Sequence, residues 1–391
     1  MSFSSLLTWK AYLAMLESAG DLTALTEHPD SEQLRAELYR QLQMNLSLGY
    51  FMYFGATADH PDWMPFLNSV FLLQPNPDDT YVFTPVHGDG SYRIVGERGS
   101  VHLLTLDIGR RMMGLSDRPS PPLLQVDLDA LERDAQGRFE VLVSGERPAG
   151  HHGNWLPLDP TAEFFMVRQR SYDWGAERDA RLAIERLDTP ILKPRMSAAE
   201  IAGRTEALMG GFVRRLSQMW LTHLGQLRER DTHNRFEFHA FGGGLAKQAY
   251  WQALFDFAPD EALILETELP ETHRYWNVQL NDPLFNTIDY VWRQSSLNGH
   301  QARVDADGKF RAVLAHSDPG VPNWLDTSGV NRGTAIGRWY ECSSHPTPTL
   351  TRVPLARLRE YLPADTPTVS AAQRAASLSA RRVGAQLRRR W

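Results

Sequence analysis

Apolar and polar residues alternate with a period of two along much of the chain, in short segments bounded by Gly, Pro and Asp. This pattern is typical of strands that bury one face, because residues i and i+2 project to the same side. It predicts strands at 80–86, 91–96, 100–108, 139–143, 163–169, 180–186, 262–269, 274–280, 310–315 and 335–341. Many short strands separated by turn residues indicate an antiparallel β-sandwich or jelly roll.

Two longer segments have their apolar residues at helical spacing instead. Residues 31–55 end on Gly55, a residue type that often terminates helices. Residues 196–225 open with Ser197 and Glu200, the spacing of a capping box, and also end on a glycine. The N-terminal sequence MSFSSLLTWKAYLAML predicts an amphipathic helix rather than a signal peptide, since Lys10 interrupts its apolar stretch.

The chain contains an internal repeat with an offset of about 170 residues. The landmarks that match are Gly137 and Gly308, Asn154-Trp155 and Asn323-Trp324, and Arg168 and Arg338. The same offset relates the two helical segments. The fold class predicted is therefore α+β: an internally duplicated unit of helices followed by an antiparallel, jelly-roll-like β-sandwich.

The repeat divides the chain into residues 1–190, residues 196–363 and a tail at 367–391. Prolines interrupt the pattern between the two units, at 189–197. The tail carries six arginines and no acidic residue from 371 onward. It is interpreted as a solvated, frayed helix that is dispensable for folding, with contact to an anionic surface as the alternative.

The composition of the chain excludes several classes of protein. The net charge is −6, so no global basic field recruits nucleic acid. The single cysteine excludes an internal disulfide and fits a reducing compartment, which predicts a cytoplasmic protein. No apolar run is long enough to span a membrane, and a homodimer is the default expectation. The 11 Trp and 12 Tyr suit either a cavity for a hydrophobic ligand or a large core.

Four short sequences resemble a known family: NPDDTY (76–81), GNWLPL (153–158), DPGVPNWLD (318–326) and GRWYE (337–341). They are similar to a bacterial family of uncharacterised proteins, the domain of unknown function twelve-fourteen. The resemblance covers most of the chain and is strongest in the second β half. It implies jelly-roll-like β-sandwich domains and a bacterial metabolic setting beside steroid or terpenoid catabolism. It implies no catalytic residue.

Positions at which the two copies differ are the better functional candidates, because the fold does not need them twice. Aligning 76–83 with 258–265 places Asn76 and Tyr81 where the second copy has Ala258 and Leu263. Together with Asp79 they predict a hydrogen-bonding and acid–base cluster. The alternative is an ordinary Asx turn before a strand.

The second copy supplies further candidates. His316 stands two residues before Asp318, which predicts a general base and its orienting acid, with a surface histidine as the alternative. On 274–280, alternation places Asn277 on a polar face and Trp276 on the opposite one. Trp276, Trp324 and Arg338 are candidate substrate-binding residues with Asn76 and Asn277. Whether the shared Asn-Trp and Arg positions serve structure or function stays open.

These residues suggest a cofactor-independent enzyme that performs acid–base chemistry on a hydrophobic, oxygenated small molecule such as a terpenoid or steroid. Hydrolysis, hydration or dehydration, isomerisation and cyclisation are the candidate reactions. No nucleotide motif occurs, and His151 and His152 are adjacent, so no metal or cofactor is expected. His316, Asp318, Asp79 and Tyr81 are the expected catalytic residues, and all should line one cavity. A non-catalytic carbohydrate- or lipid-binding sandwich is the alternative.

Overall fold

Helices precede strands twice along the chain, as the repeat predicts. The computed structural model of the protein describes residues 6–67, 72–241 and 243–388. The helices of these ranges are α1 (Trp9–Ala14), α2 (Glu32–Tyr50), α3 (Ala198–Ala207), α4 (Val213–Glu229) and α5 (Ala371–Arg388). Ser197 and Glu200 form the expected capping box at the start of α3. None of these helices is long and apolar enough to cross a membrane.

Each unit contributes one set of strands. The strands of the first unit are β1 (Met64–Phe66), β2 (Asp79–Pro85), β3 (Tyr92–Glu97), β4 (Leu103–Gly109), β5 (Leu124–Asp127), β6 (Arg138–Ser144), β7 (Asn154–Pro157), β8 (Phe164–Arg170) and β9 (Arg181–Arg186). Those of the second are β10 (Glu237–His239), β11 (Gln248–Asp256), β12 (Glu261–Glu268), β13 (His273–Asn281), β14 (Ser296–Asn298), β15 (Lys309–Ala315), β16 (Trp324–Asp326), β17 (Arg332–Cys342) and β18 (Thr349–Pro354).

The two strand sets have the same connectivity. The first unit forms a five-stranded sheet, β1-β2-β8-β4-β5, and a four-stranded sheet, β7-β6-β3-β9. The second forms β10-β11-β17-β13-β14 and β16-β15-β12-β18. Each strand is thus matched by the strand nine positions later. This identity confirms the α+β fold class and the duplicated sandwich.

The strand register corrects one part of the expected repeat alignment. Strand β2 is equivalent to β11, whereas 258–265 leads into β12, the counterpart of β3. Tyr81 lies opposite Arg168 on β8, and Tyr250 lies opposite Arg338 on β17, so Tyr81 is matched by Tyr250 and not by Leu263. The error arose because β11 is buried along most of its length, which hides the period-two pattern.

Each sandwich encloses an apolar core between its two sheets. In the second sandwich, Trp276, Val278 and Leu280 of β13 belong to this core. Asn277 and Gln279 lie on the other face, where they form hydrogen bonds to the first unit. The predicted division of this strand into an apolar and a polar face is confirmed. The polar faces of the five-stranded sheets are therefore the ones that meet outside the sandwiches.

Asn154 and Asn323 make equivalent hydrogen bonds in the two units. Each side-chain oxygen accepts from a main-chain N–H at 2.9 Å, and each side-chain nitrogen donates to two main-chain carbonyls. The partners are Glu132 and Glu140 in the first unit and Arg303 and Arg311 in the second. Because both units use the same bonds, they support the structural interpretation of this pair.

Helices from both units pack into one shared layer. The Asn45 side chain on α2 donates to the Val213 carbonyl at 2.7 Å and to the Ser217 hydroxyl at 2.8 Å, both on α4. A single apolar core beneath these helices includes Phe83 of the first unit and Ile336 of the second. The helical layer therefore covers parts of both five-stranded sheets and joins the two units.

The prediction of a solvated C-terminal tail is wrong, because α5 docks on the body. Arg374, Arg381 and Arg388 recur every seven residues, which places them on one helix face. Arg374 pairs with Asp318 at 2.9 Å, and Arg388 donates to main-chain carbonyls at 77 and 78. Gly384 lies so close to Trp174 that a Cβ would come within 2.9 Å of it. The spacing of the arginines, rather than their number, indicated a buried face.

We expect Arg374→Ala to lower the free energy of unfolding by about 3 kcal/mol, because it leaves Asp318 and Gln294 without their buried partner. Arg382→Ala is the matched control on the same helix, since Arg382 is half-exposed and forms one hydrogen bond at the surface. Its effect should stay below about 1 kcal/mol. Urea unfolding of both variants measures this; equal losses would contradict the docking of α5.

Candidate functional site

A cavity of about 770 Å³ lies between α4 and the facing sides of the two five-stranded sheets. Gln218, Thr222 and Gln226, which repeat every four residues on the exposed side of α4, border it. A wider helical turn at Leu208–Phe212, between α3 and α4, brings Gly210 to the wall. The volume of the cavity falls within the range of small-molecule sites, which is about 300–1,000 Å³.

Much of the cavity wall is apolar. Representative side chains are Phe66, Leu73, Met166, Met219, Trp220 and Phe241. They come from both units and from the helical layer, so the cavity exists only when the whole chain is folded. Methionine side chains adapt their shape, and aromatic rings provide flat surfaces. The wall therefore suits a hydrophobic ligand.

A buried ion pair forms part of a polar region of the cavity wall. Arg170 at the end of β8 donates to both oxygens of Asp79, at 2.6 and 2.8 Å. The Tyr81 hydroxyl donates to the same carboxylate at 3.1 Å. Burial alone would raise the pKa of Asp79, but the charge and hydrogen bonds of Arg170 outweigh it and lower the pKa. Burial and the Asp79 charge raise the pKa of Tyr81, so this phenol stays protonated.

Two further arginines reach this wall from equivalent positions. Arg168 of β8 pairs with the buried carboxylate of Asp107 and donates to the Gly243 carbonyl at 2.6 Å. Arg338 of β17 donates to Gln279 at 2.6 Å and to Gln74 at 3.1 Å. The cavity thus combines apolar walls with guanidinium groups, an arrangement that can bind an oxygen atom that carries or develops negative charge.

Two histidines line the cavity beside the aromatic wall. The rings of His223 on α4 and His239 on β10 are 4.7 Å apart. Burial, with a smaller contribution from His239, lowers the pKa of His223 to about 4. Burial and then Arg230 lower the pKa of His239, which is less enclosed. Both imidazoles are therefore neutral near pH 7 and can accept a proton.

Phe285 holds the aromatic surroundings of His223 in place. Its ring lies 5.4 Å from that of His223 and stacks on Trp220 at 4.9 Å. Its backbone adopts the left-handed region with φ of 71°, which is unfavourable for a bulky residue. Such conformations persist where surrounding contacts impose them, and they cluster at binding and catalytic sites.

The structure brings most of the first-copy candidates and part of the second-copy set together. Asp79, Tyr81 and Arg338 line the cavity. Behind them, the Asn277 amide donates to the Asn76 side chain at 2.8 Å and accepts from Arg338 at 3.3 Å. Asn76 and Asn277 are fully buried, so they support the wall of the cavity rather than its surface.

His316 and Asp318 do not belong to this site, and their expected pairing is wrong. His316 stacks on Phe257 with ring centroids 4.5 Å apart, and its Nδ1 atom lies 2.8 Å from the Thr327 hydroxyl. Asp318 pairs with Arg374 of α5 instead. Strand β15 ends at Ala315, so the i, i+2 geometry that was assumed for the pair does not extend to these residues.

Trp276 and Trp324 also lie away from the cavity. Trp276 packs in the second sandwich core, 4.7 Å from Phe310 between ring centroids. Trp324 belongs to a neighbouring core, and its indole nitrogen donates to the Ala315 carbonyl at 2.9 Å. Neither side chain lines the cavity. The sandwich uses the apolar surface of both indoles, so neither is placed to contact a ligand in this cavity.

Sequence reasoning missed His223 and His239. One available signal was a histidine three residues after Trp220 on an apolar helix face, since residues i and i+3 lie on the same side of a helix. A second was the glycine-rich segment 242–244, because glycines let the backbone approach a ligand closely. Gly242 lies outside the described residues, whereas Gly243 and Gly244 line the cavity.

The pKa of His223 predicts a stability change in weak acid. Between pH 7 and pH 5 the unfolded imidazole gains a proton, while the folded one, with a pKa of about 4, does not. The free energy of unfolding should therefore fall by about 2 kcal/mol from this residue as the pH falls. In His223→Gln this contribution should disappear, whereas exposed His152→Gln should retain it. Urea titrations at both pH values measure the difference; an unchanged His223→Gln profile would refute it.

Comparison with known proteins found a matching family model and similar solved structures. Residues 106–173 and 256–344 match the model described as "Protein of unknown function (DUF1214)". A crystal structure of an uncharacterised protein from Burkholderia cenocepacia is 26% identical, covers 89% of this chain and 97% of that chain, and has a TM-score of 0.79. The VPA0106 protein from Vibrio parahaemolyticus is 12% identical, covers 87% of this chain and 100% of that chain, and has a TM-score of 0.46.

No curated protein matches the sequence. The first matched segment runs from within β4 to just beyond β8, and the second from the end of β11 to just beyond β17. Each segment therefore lies in a different copy of the repeat. Two segments of the chain, one in each of its two sandwiches, match the model of the domain of unknown function DUF1214.

Proposed function

We propose that this protein is an enzyme that performs acid–base chemistry on a hydrophobic, oxygenated small molecule held in the cavity beneath α4. The observation that carries the proposal is the pair of neutral histidines, His223 and His239, in a cavity that also contains guanidinium groups. A neutral imidazole can take a proton from a substrate, and a nearby guanidinium can stabilise the oxygen on which negative charge develops.

The roles of the two histidines differ because their surroundings differ. His239 is less enclosed, so it is the general base. His223 has a pKa of about 4, which makes it a weak base and keeps it as a neutral hydrogen-bonding group. The Tyr81 phenol stays protonated because its pKa is raised, and its hydroxyl can turn from Asp79 to donate a hydrogen bond to a substrate oxygen. Isomerisation and hydration or dehydration fit one base together with hydrogen-bond donors that hold the substrate oxygen.

A protein that binds a lipid or another hydrophobic molecule without converting it is the second candidate, because the same apolar wall would serve it. Carbohydrate stacking has less support. Exposed aromatic residues such as Trp9, Tyr39, Trp292 and Tyr361 lie on separate elements rather than in a row on one sheet. A terpenoid or steroid substrate, a cytoplasmic location and a homodimer stay predictions that accompany the first proposal.

A ligand screen followed by a conversion assay tests the proposal. We expect at least one member of a panel of steroids, terpenoids and aromatic acids to stabilise the protein, by about 2.7 kcal/mol at a hundredfold excess over Kd. Mass spectrometry should show that the wild type converts this compound. His239→Gln should lower turnover about 10²–10⁴-fold, since it removes the proton acceptor and leaves the rest of the cavity.

Two variants at exposed threonines locate the binding site. Thr222→Trp should block the cavity mouth and abolish stabilisation by the ligand, whereas Thr351→Trp, on the outer strand β18, should not. A panel in which no compound stabilises the wild type would reject the proposal. Binding without conversion, or conversion unaffected by His239→Gln, would favour the second candidate or another base.

A further inference from the structure

Arg338 and Arg168 occupy equivalent positions, and yet their electrostatic surroundings differ. Each lies on the central strand of its five-stranded sheet, β17 or β8. On one side each lies opposite a tyrosine, Tyr250 or Tyr81. On the other side, Arg338 lies opposite Asn277. The two arginines can therefore be compared group by group.

The difference lies in the counter-ion. Asp107 lies opposite Met166, two residues before Arg168, and forms a buried ion pair with it. Gln279 lies opposite Ile336 in the same relation to Arg338. The second copy thus has an amide where the first has a carboxylate. Arg338 donates to three neutral amide oxygens, those of Gln279, Asn277 and Gln74.

The neighbouring carboxylates already have partners. Both oxygens of Asp79 accept from Arg170, and Asp107 pairs with Arg168. Within the described ranges, Arg338 forms no ion pair, although it is only 3% exposed. A buried charge without a counter-ion costs several kcal/mol, because amide dipoles replace the lost water incompletely. The buried part of the cavity wall therefore carries one positive charge in excess.

Arg338 also keeps free the edge of its guanidinium group that can bind a carboxylate. A guanidinium has five N–H donors, and the amides take two from Nη1 and one from Nη2. The Nε–H and one Nη2–H remain, and Arg170 uses donors of these same two atoms to hold Asp79. Near the mouth, Arg214 and Arg215 add two positive charges, and Asp117 offsets one of them by pairing with Arg215. Such a field attracts anions towards the cavity.

We propose that the missing counter-ion of Arg338 belongs to the ligand, which is a hydrophobic molecule with a single carboxylate. This inference rests on the proposed function, because it assigns a substrate class to the same cavity. One buried guanidinium without a counter-ion matches a single carboxylate, because Arg214 and Arg215 are half-exposed at the mouth, where water and salt screen their charges. The planar carboxylate fits the free edge of the guanidinium, and the apolar wall takes the rest of the molecule.

Matched ligand pairs test the charge requirement. The probes are dodecanoate, 4-phenylbutanoate and abietate, each compared with its primary amide by calorimetry and thermal shift. At least one carboxylate should bind the wild type more than about tenfold tighter than its amide, since a charge-assisted pair replaces a neutral contact. Equal binding of acid and amide would overturn this inference and leave the proposed function intact.

Gln279→Asp supplies the counter-ion internally by copying Asp107 of the first unit. It should weaken carboxylate binding about 100-fold or more, and it should lower the melting temperature because it removes the Gln279 amide donors to Pro75, Asn281 and Thr287. Gln386→Asp, which adds a carboxylate on the exposed side of α5 outside the cavity lining, is the control and should change affinity less than about threefold. If Gln279→Asp does not fold, Arg338→Gln serves as the second variant. We expect it to abolish the preference for the acid over the amide.

The outcomes separate the two proposals. Undiminished carboxylate binding by Gln279→Asp or Arg338→Gln would show that Arg338 is not the counter-ion and would overturn the inference. If neutral steroids or terpenoids bind and none of the three carboxylates does, the inference fails while the proposed function stands. If no compound of either panel binds, both fail.

Discussion

Arg170 forms the buried ion pair on which the junction between the two sandwiches depends. Its guanidinium holds Asp79 of the first unit and donates to Gln248 of the second at 2.9 Å. The same group lies 4.1 Å from the ring centroid of Tyr275, also in the second unit. Both charged side chains are at most 2% exposed, so removing either would leave an uncompensated charge. The position of the two sheets is therefore set by the acceptors this arginine needs.

The same requirement extends through the interface between the units. A sandwich on its own would expose the polar face of its five-stranded sheet, whereas here each face finds partners on the other. The Tyr275 hydroxyl donates to Asp78 at 2.6 Å, and Asn277 donates to Asn76. Arg388 of α5 completes this network through the carbonyls that precede β2. Buried polar groups must be paired, and the two units and the tail satisfy one another.

The duplication separates structural from functional residues more sharply in three dimensions than along the chain. Asn154 and Asn323 make the same bonds and serve the same loops. Tyr81 looked unmatched until the strand register paired it with Tyr250. The informative difference is the change from Asp107 to Gln279, because the arginine stays and its counter-ion does not. That single change is the physical basis of the proposed binding of a ligand in one half of a symmetric framework.

The sequence by itself determined the duplicated α+β sandwich, most strand positions and the two faces of β13, because period-two alternation and local turns depend on near neighbours. It also identified Asp79 and Tyr81 as candidate site residues, because they are polar residues at the start of a predicted strand. Only the tertiary structure decided that His223 faces His239, that Asn76 meets Asn277 across 201 positions, and that His316 and Asp318 lie elsewhere. Helix docking and the facing of two sheets come from contacts remote in sequence, which no local pattern encodes. The cavity and its charge arise from that packing.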